Sequence, residues 1–177
     1  MLLKVTILEG TTMFSRRLLL LSGGAAIVLI GVDRILGFRR AAAASETFEV
    51  THSDAEWREL LTAEQYDVLR HEGTERPYTS PLNHEKRAGT FVCAGCNLAL
   101  FSSETKFDSG TGWPSFWQPL DNAVDTRSDR SFGMRRTEVH CHRCGGHLGH
   151  VFEDGPKPTG LRYCMNGVAM TFKAAAA

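Results

Sequence analysis

This sequence predicts a mainly β domain of antiparallel strands, entered through two short helices, and three observations carry that prediction. From Thr90 onward the chain runs in short apolar stretches, "TFVC", "LALF" and "AVDT", broken by Gly, Asn, Asp and Pro, which is a strand-and-turn texture. Ahead of it, "SDAEWRELLTAEQYDVLRHEG" has apolar residues at helical rather than alternating spacing. Cys93-Ala-Gly-Cys96 and Cys141-His-Arg-Cys144 share the two-residue spacing of a four-sulfur metal clip.

The chain divides at Ala44. In residues 1–44, Arg16-Arg17 stand directly before Leu18 to Val32, fifteen uncharged and largely apolar residues, and the small-residue run Ala41 to Ala44 follows. That layout predicts an export signal cut after Ala44, and the paired arginines after Ser15 resemble a Tat signal, the route for proteins exported already folded. Arg34, Arg39 and Arg40, just before the cleavage site, fit the same route. The expected destination is the periplasm or cell envelope. The alternative is an uncleaved anchor, for which the stretch is short of the roughly 20 residues a spanning helix needs; the membrane is touched only through the leader in that case. Met13 sits two residues ahead of "SRR", so the first twelve residues are either an extended leader or precede the true start.

Residues 45–177 form the second domain, with 14 basic and 18 acidic groups. A mildly acidic body without a Lys/Arg stripe argues against nucleic acid as the main ligand, because phosphate neutralisation supplies most of that affinity. Its first helix opens at a capping box of Ser53 and Glu56, the second at one of Thr62 and Gln65. Trp57, Leu60, Leu61, Tyr66 and Leu69 supply apolar faces for packing, and Gly73 after Arg70 and His71 is a stop signal. Near the C-terminus, Leu161, Tyr163 and Met165 alternate with Arg162, Cys164 and Asn166, so strand periodicity places three polar groups on one face. After Gly167 the apolar parity flips to Val168, Met170 and Phe172, predicting a bulge or bend at the glycine.

Two Cys-x-x-Cys turns fit a structural zinc site holding Cys93, Cys96, Cys141 and Cys144. With 44 residues between the pairs, the ion would staple two distant loops. Redox-active dithiols would sit at helix starts, whereas "CAGCNLALF" continues as a strand and "CHRCGGHLGH" as a glycine-rich loop. Structural disulfides suit an oxidising destination but close rings too small to remove much entropy. His140 and His142 are expected as solvent-facing strand residues. His147 and His150, on the glycine-rich loop, are either satisfied loop histidines or catalytic groups. "SGTGWPSFW" gathers Trp113, Phe116 and Trp117 on a Gly/Pro loop, an aromatic wall for something small and apolar, with packing beneath the turn as the alternative for Phe116 and Trp117. Cys164, outside both pairs, shares its strand face with Arg162 and Asn166, where positive charge favours a nucleophilic thiolate.

Together "SGTGWPSF", "HCHRCGGHLGHVFEDG" and "RYCMNGVAM" resemble the B-type methionine sulfoxide reductases, which reduce the R epimer of methionine S-oxide, and "YTSPLNHEKRAGTFVCAGC" is similar to that family's zinc-bearing stretch. The resemblance covers about residues 53–173. It implies a pair of antiparallel sheets leaning together as a β-tent, with short N-terminal helices and zinc on Cys93, Cys96, Cys141 and Cys144. It implies Cys164 as nucleophile, with His147, His150 and Asn166 positioning the substrate oxygen. Trp113 would hold the methyl group, and Arg162 would support the thiolate. The substrates implied are oxidised methionine residues in proteins, or free, and the partner a thioredoxin-like or other thiol reductant. One departure matters: many members carry a resolving cysteine where this chain has Thr111, so Cys164 would be regenerated by an external thiol. The rival reading is a zinc-stabilised β module that binds through the "GWPSFW" surface without catalysis.

Overall fold

The computed structural model describes residues 47–176, so the expected export signal at 1–44 lies outside the described residues. Helices α1 (Asp54–Leu60) and α2 (Ala63–His71) open where the sequence places them. In each, the cap side chain accepts from the backbone N–H three residues on, and that residue's side chain accepts in return from the cap N–H. Helix α2 stops one residue earlier than the glycine suggests: Glu72 takes the left-handed position at φ 57° and Gly73 N–H reaches back 3.1 Å to the Asp67 carbonyl. Trp57 is buried, with the Arg70 guanidinium 4.9 Å from its ring centroid. No helix among the described residues is long and apolar enough to cross a membrane.

Nine strands follow: β1 (Gly89–Cys93), β2 (Ala99–Ser102), β3 (Lys106–Phe107), β4 (Ser115–Phe116), β5 (Val124–Asp129), β6 (Arg136–Cys141), β7 (His147–Phe152), β8 (Arg162–Met165) and β9 (Met170–Ala174). They form two antiparallel sheets among the described residues, one ordered β2-β1-β9 and the other β3-β4-β8-β7-β6-β5. The chain passes between them after β8, where Gly167–Ala169 make a single 3-10 turn and β9 joins the smaller sheet. That is the bend expected at Gly167, and the close approach explains the residue: a Cβ there would lie 1.9 Å from Ser80 Oγ.

The core lies where the sheets meet. Phe91 and Phe101 from the smaller sheet close on Phe116 from the larger, with ring centroids 4.9 and 4.3 Å apart, and all three are fully buried. Phe116 is therefore a correction to the expected aromatic wall. In β4 successive side chains point to opposite faces, so Ser115 takes the polar face and Phe116 the core. Burial of rings this size contributes about 2–3 kcal/mol each.

Directly paired residues on neighbouring strands share a sheet face. Following the register across the larger sheet, Asp129 pairs with Arg136 and Arg127 with Glu138. Glu138 pairs in turn with His150, His150 with Cys164, and Cys164 with Ser115. One face thus collects charged, imidazole, thiol and hydroxyl groups, while Val139, Met165 and Phe116 on the opposite face enter the core. His147 joins the polar face only because the β6–β7 register slips. Val139 pairs with Gly149 but His140 pairs with His147, leaving Leu148 as an extra residue. Without that bulge, His147 and His150, three positions apart, would point to opposite sides. Gly149 adopts φ 156°, and a Cβ on it would lie 2.2 Å from the Cys164 carbonyl oxygen. Two expectations change here: His147 and His150 belong to a strand rather than a loop, and His140 is fully buried against Phe48 rather than solvent-facing.

Candidate active site

Cys164 sits on β8 between Ser115 on one side and His150 on the other. Its sulfur lies 3.8 Å from Thr111 Oγ1. That hydroxyl belongs to a chain in which Ser109 Oγ lies 2.8 Å from Thr111 Oγ1 and 2.7 Å from Ser115 Oγ. Burial pushes the Cys164 thiol above its ordinary value, with the Thr111 hydrogen bond and the Arg162 charge acting in the opposite direction. Arg162 is buried and held in place by paired hydrogen bonds of 2.8 Å to Asp154 and by stacking 4.4 Å from the Phe152 ring centroid. The sequence expectation for Cys164 and Arg162 on one face agrees with this placement.

Both histidines are backed by a carboxylate that an arginine grips in turn. His147 Nδ1 lies 2.8 Å from Glu138 Oε1, and Arg127 binds the same carboxylate through Nε and, at 3.2 Å, through its terminal nitrogen. Burial opposes ionisation of Glu138, but hydrogen bonds from His147 and Arg127 overcome it and pull the carboxyl down to about 2. An ionised Glu138 accepts only, so Nδ1 carries the proton and Nε2 is the free end of the ring. His147 Nε2 is buried without a hydrogen-bond partner among the described residues. His150 Nε2 lies 2.9 Å from Asp129, which Arg136 holds at 2.6 Å. Burial lowers the His150 value, and the hydrogen bond to Asp129 acts in the opposite direction. The two rings meet edge to face, 5.4 Å between centroids.

Asn166 stands directly before the Gly167 turn, and it and Trp113 both bond to the backbone of Glu75. Asn166 Nδ2 donates to the Leu148 carbonyl at 3.2 Å, and its Oδ1 accepts from Glu75 N–H at 3.0 Å. Trp113 is half-buried and its indole N–H donates to the Glu75 carbonyl at 3.0 Å. Asp129, Glu138 and Glu75 were not singled out from the sequence. Alternation in "RTEVHC" puts Glu138 on the His140 face, which is a legible signal, but its meeting with His147 depends on the β7 bulge. Glu75 is 91 residues from Asn166, and no local pattern announces that contact.

The four remaining cysteines gather at two turns of the same construction. Cys93 N–H donates to Leu98 O and Asn97 N–H to Cys93 O; Cys141 N–H donates to Gly146 O and Gly145 N–H to Cys141 O. Asn97 and Gly145 take the equivalent left-handed positions, φ 59° and 67°. The sulfurs all lie within 4.8 Å of one another, with Cys93 to Cys144 at 3.8 Å and Cys96 to Cys141 at 3.5 Å. Disulfide sulfurs would be about 2.0 Å apart. A tetrahedral ion bonded at about 2.3 Å spaces its sulfurs by roughly 3.8 Å, so the cluster is suited to a metal ion and consistent with a zinc site.

The fold and this thiol site define a class, a small β oxidoreductase domain with a four-cysteine clip: residues 61–174 match a protein-family model described as the SelR domain. The chain is 55% identical over 127 residues to "Peptide methionine sulfoxide reductase MsrB" of Leptospira interrogans, a match spanning 71% of this chain and 97% of that protein. It is 60% identical over 120 residues to the protein of the same description from Pseudomonas putida, covering 67% and 90%. A relative from Methanosarcina barkeri is 55% identical over 125 residues, covering 70% and 88%. The chain belongs to the MsrB family, the B-type methionine sulfoxide reductases.

Proposed function

We propose that this protein reduces methionine (R)-S-oxide in oxidised polypeptides, and free methionine (R)-S-oxide as well, through the Cys164 thiolate. That it is an oxidoreductase acting on methionine sulfoxide follows from its family. The observation that carries the finer reading is the shared sheet face, which sets Cys164 directly across from His150 and brings His147, with its unpartnered Nε2, into the same cluster. The thiolate attacks the sulfoxide sulfur while the oxygen, held by an N–H of Asn166, takes up the Nε2 proton of His147, which acts as an imidazolium braced by Glu138 and is left as the neutral Nδ1–H ring. The products are methionine and a Cys164 sulfenic acid. Trp113 holds the methyl group and Arg162 steadies the thiolate; with methyl and oxygen on fixed sides, one epimer is selected.

Regeneration falls to an external thiol. Thr111 occupies the position beside the Cys164 sulfur, and the other four cysteines are gathered in the cluster. A donor thiol attacks the sulfenic sulfur and releases water; a second thiol then resolves the mixed disulfide and restores Cys164. A thioredoxin-like protein supplies these thiols. The four-cysteine cluster holds a structural zinc ion, and residues 1–44 direct the enzyme to the cell envelope, where it repairs oxidised proteins.

A stereospecific assay of the wild-type protein and Cys164→Ser, with dithiothreitol and with thioredoxin as donor, tests this. Only the R epimer should be consumed, only by the wild type. Mass spectrometry after one turnover should find sulfenic acid on Cys164 and no internal disulfide. Undiminished activity in Cys164→Ser would overturn the assignment.

A further inference from the structure

Every polar group of Glu75, on its backbone and its side chain, is committed to residues around the candidate site. Its N–H donates to Asn166 Oδ1 at 3.0 Å and its carbonyl accepts the Trp113 indole N–H at 3.0 Å. Its carboxylate accepts the N–H groups of Gly167 and Val168 at 2.5 and 3.0 Å. We infer that Glu75 is a positioning residue that clamps Trp113 and Asn166 into one frame, so that the methyl-holding ring and the oxygen-directing amide keep a fixed relation. This rests on the reading of those two residues given above.

The chemistry of the partners settles which way the Asn166 amide points. A backbone N–H can only donate, so the atom facing Glu75 N–H is Oδ1; a carbonyl can only accept, so the atom facing Leu148 is Nδ2. One Nδ2 hydrogen is then engaged and the second remains to donate to a substrate oxygen. Were the Glu75 backbone to move, the amide would lose the contact that distinguishes its two ends. The same displacement would release the indole from its rotational tether. What holds the backbone there is the carboxylate, fastened to the turn that links the two sheets, where Gly167 also packs against Ser80. Glu75 itself lies on an irregular segment after α2, with neither helix nor strand to fix it. Thus the clamp couples both substrate-holding groups to a rigid part of the fold through one side chain.

Glu75→Gln keeps the size but turns an amide N–H toward one of the two donors, so it loses one hydrogen bond and gains a repulsion. The kcat/KM for methionine (R)-S-oxide should fall by about ten- to hundredfold, as expected of misplaced binding groups. The rate of Cys164 alkylation by iodoacetamide should stay within about twofold of wild type, because the nucleophile is untouched. In Trp113→Phe and in Asn166→Ala backgrounds the further loss caused by Glu75→Gln should shrink to about threefold or less, because coupled residues are not additive. A change in kcat/KM below twofold overturns the proposal. So does an equal loss in all three backgrounds, or a loss that tracks slowed alkylation, either of which marks general damage. Should Glu75→Gln not fold, Glu75→Asp, which keeps the charge on a shorter stem, is read through the same cycle with the same criteria. Absence of wild-type activity on the R epimer would instead remove the functional reading on which the clamp depends, a failure visible before any variant is compared.

Discussion

Glu138→Gln tests the carboxylate behind His147 and exploits its acid strength. The side chain is 4% exposed and faces a histidine that is 3% exposed, so the pair is shielded from solvent. Hydrogen bonds from His147 and Arg127 outweigh the burial that opposes ionisation and bring its pKa from 4.5 to about 2. That shift corresponds to about 3 kcal/mol of folding stability at pH 7. Because the folded value lies below the unfolded one, the contribution is complete above the unfolded value and is lost as pH falls through the folded value. Glutamine imitates the protonated carboxyl, so the wild type should exceed Glu138→Gln by about 3 kcal/mol at pH 7 and by only about 1 kcal/mol at pH 3. Urea unfolding of both proteins at several pH values, with the same metal content, measures the difference while other titrations cancel. The variant should also lose about ten- to hundredfold in kcat/KM, since the amide no longer dictates which ring nitrogen carries the proton. A stability gap below about 1 kcal/mol at pH 7, or one that does not close on acidification, would refute this account of the Glu138–His147 pair.

Two further results are expected. With burial holding the Cys164 thiol above its ordinary value, its alkylation rate should keep rising beyond pH 9; removing the opposing charge in Arg162→Met should slow alkylation at pH 8 roughly threefold or more, and an unchanged rate would show that Arg162 does not act on the thiol. Purified protein should contain one zinc per chain, and chelation should lower the melting temperature by roughly 10 °C or more, since an ion contributing even about 3 kcal/mol has that effect on a domain of this size; a metal-free protein with unchanged melting would exclude a structural ion.

Much of the architecture was legible because its signals are local. Capping boxes at Ser53 and Thr62 act across three residues, and both helices begin there. The Cys-x-x-Cys pairs are turns whose spacing alone presents two sulfurs, and the described structure brings both to one cluster. Strand alternation around Cys164 correctly joined it to Arg162, but the same rule applied to "PSFW" would have sent Phe116 to the core. Its placement in a Gly/Pro loop concealed the two-residue strand that buries it. The loop reading of His147 and His150 failed for a related reason, since three glycines obscure a strand that carries a bulge.

Alone, the sequence determined the β class, the helix starts, the metal-suited cysteines and the isolated thiol, because each depends on neighbours within a few residues. Tertiary structure alone decided which carboxylate meets which histidine, that both rings share one face, and that Glu75 reaches Trp113 and Asn166. Those contacts depend on strand register and on one extra residue, Leu148, between the pairs made by Gly149 and His147. A shift of one residue moves every later side chain to the other face, and no local pattern encodes where such a shift falls.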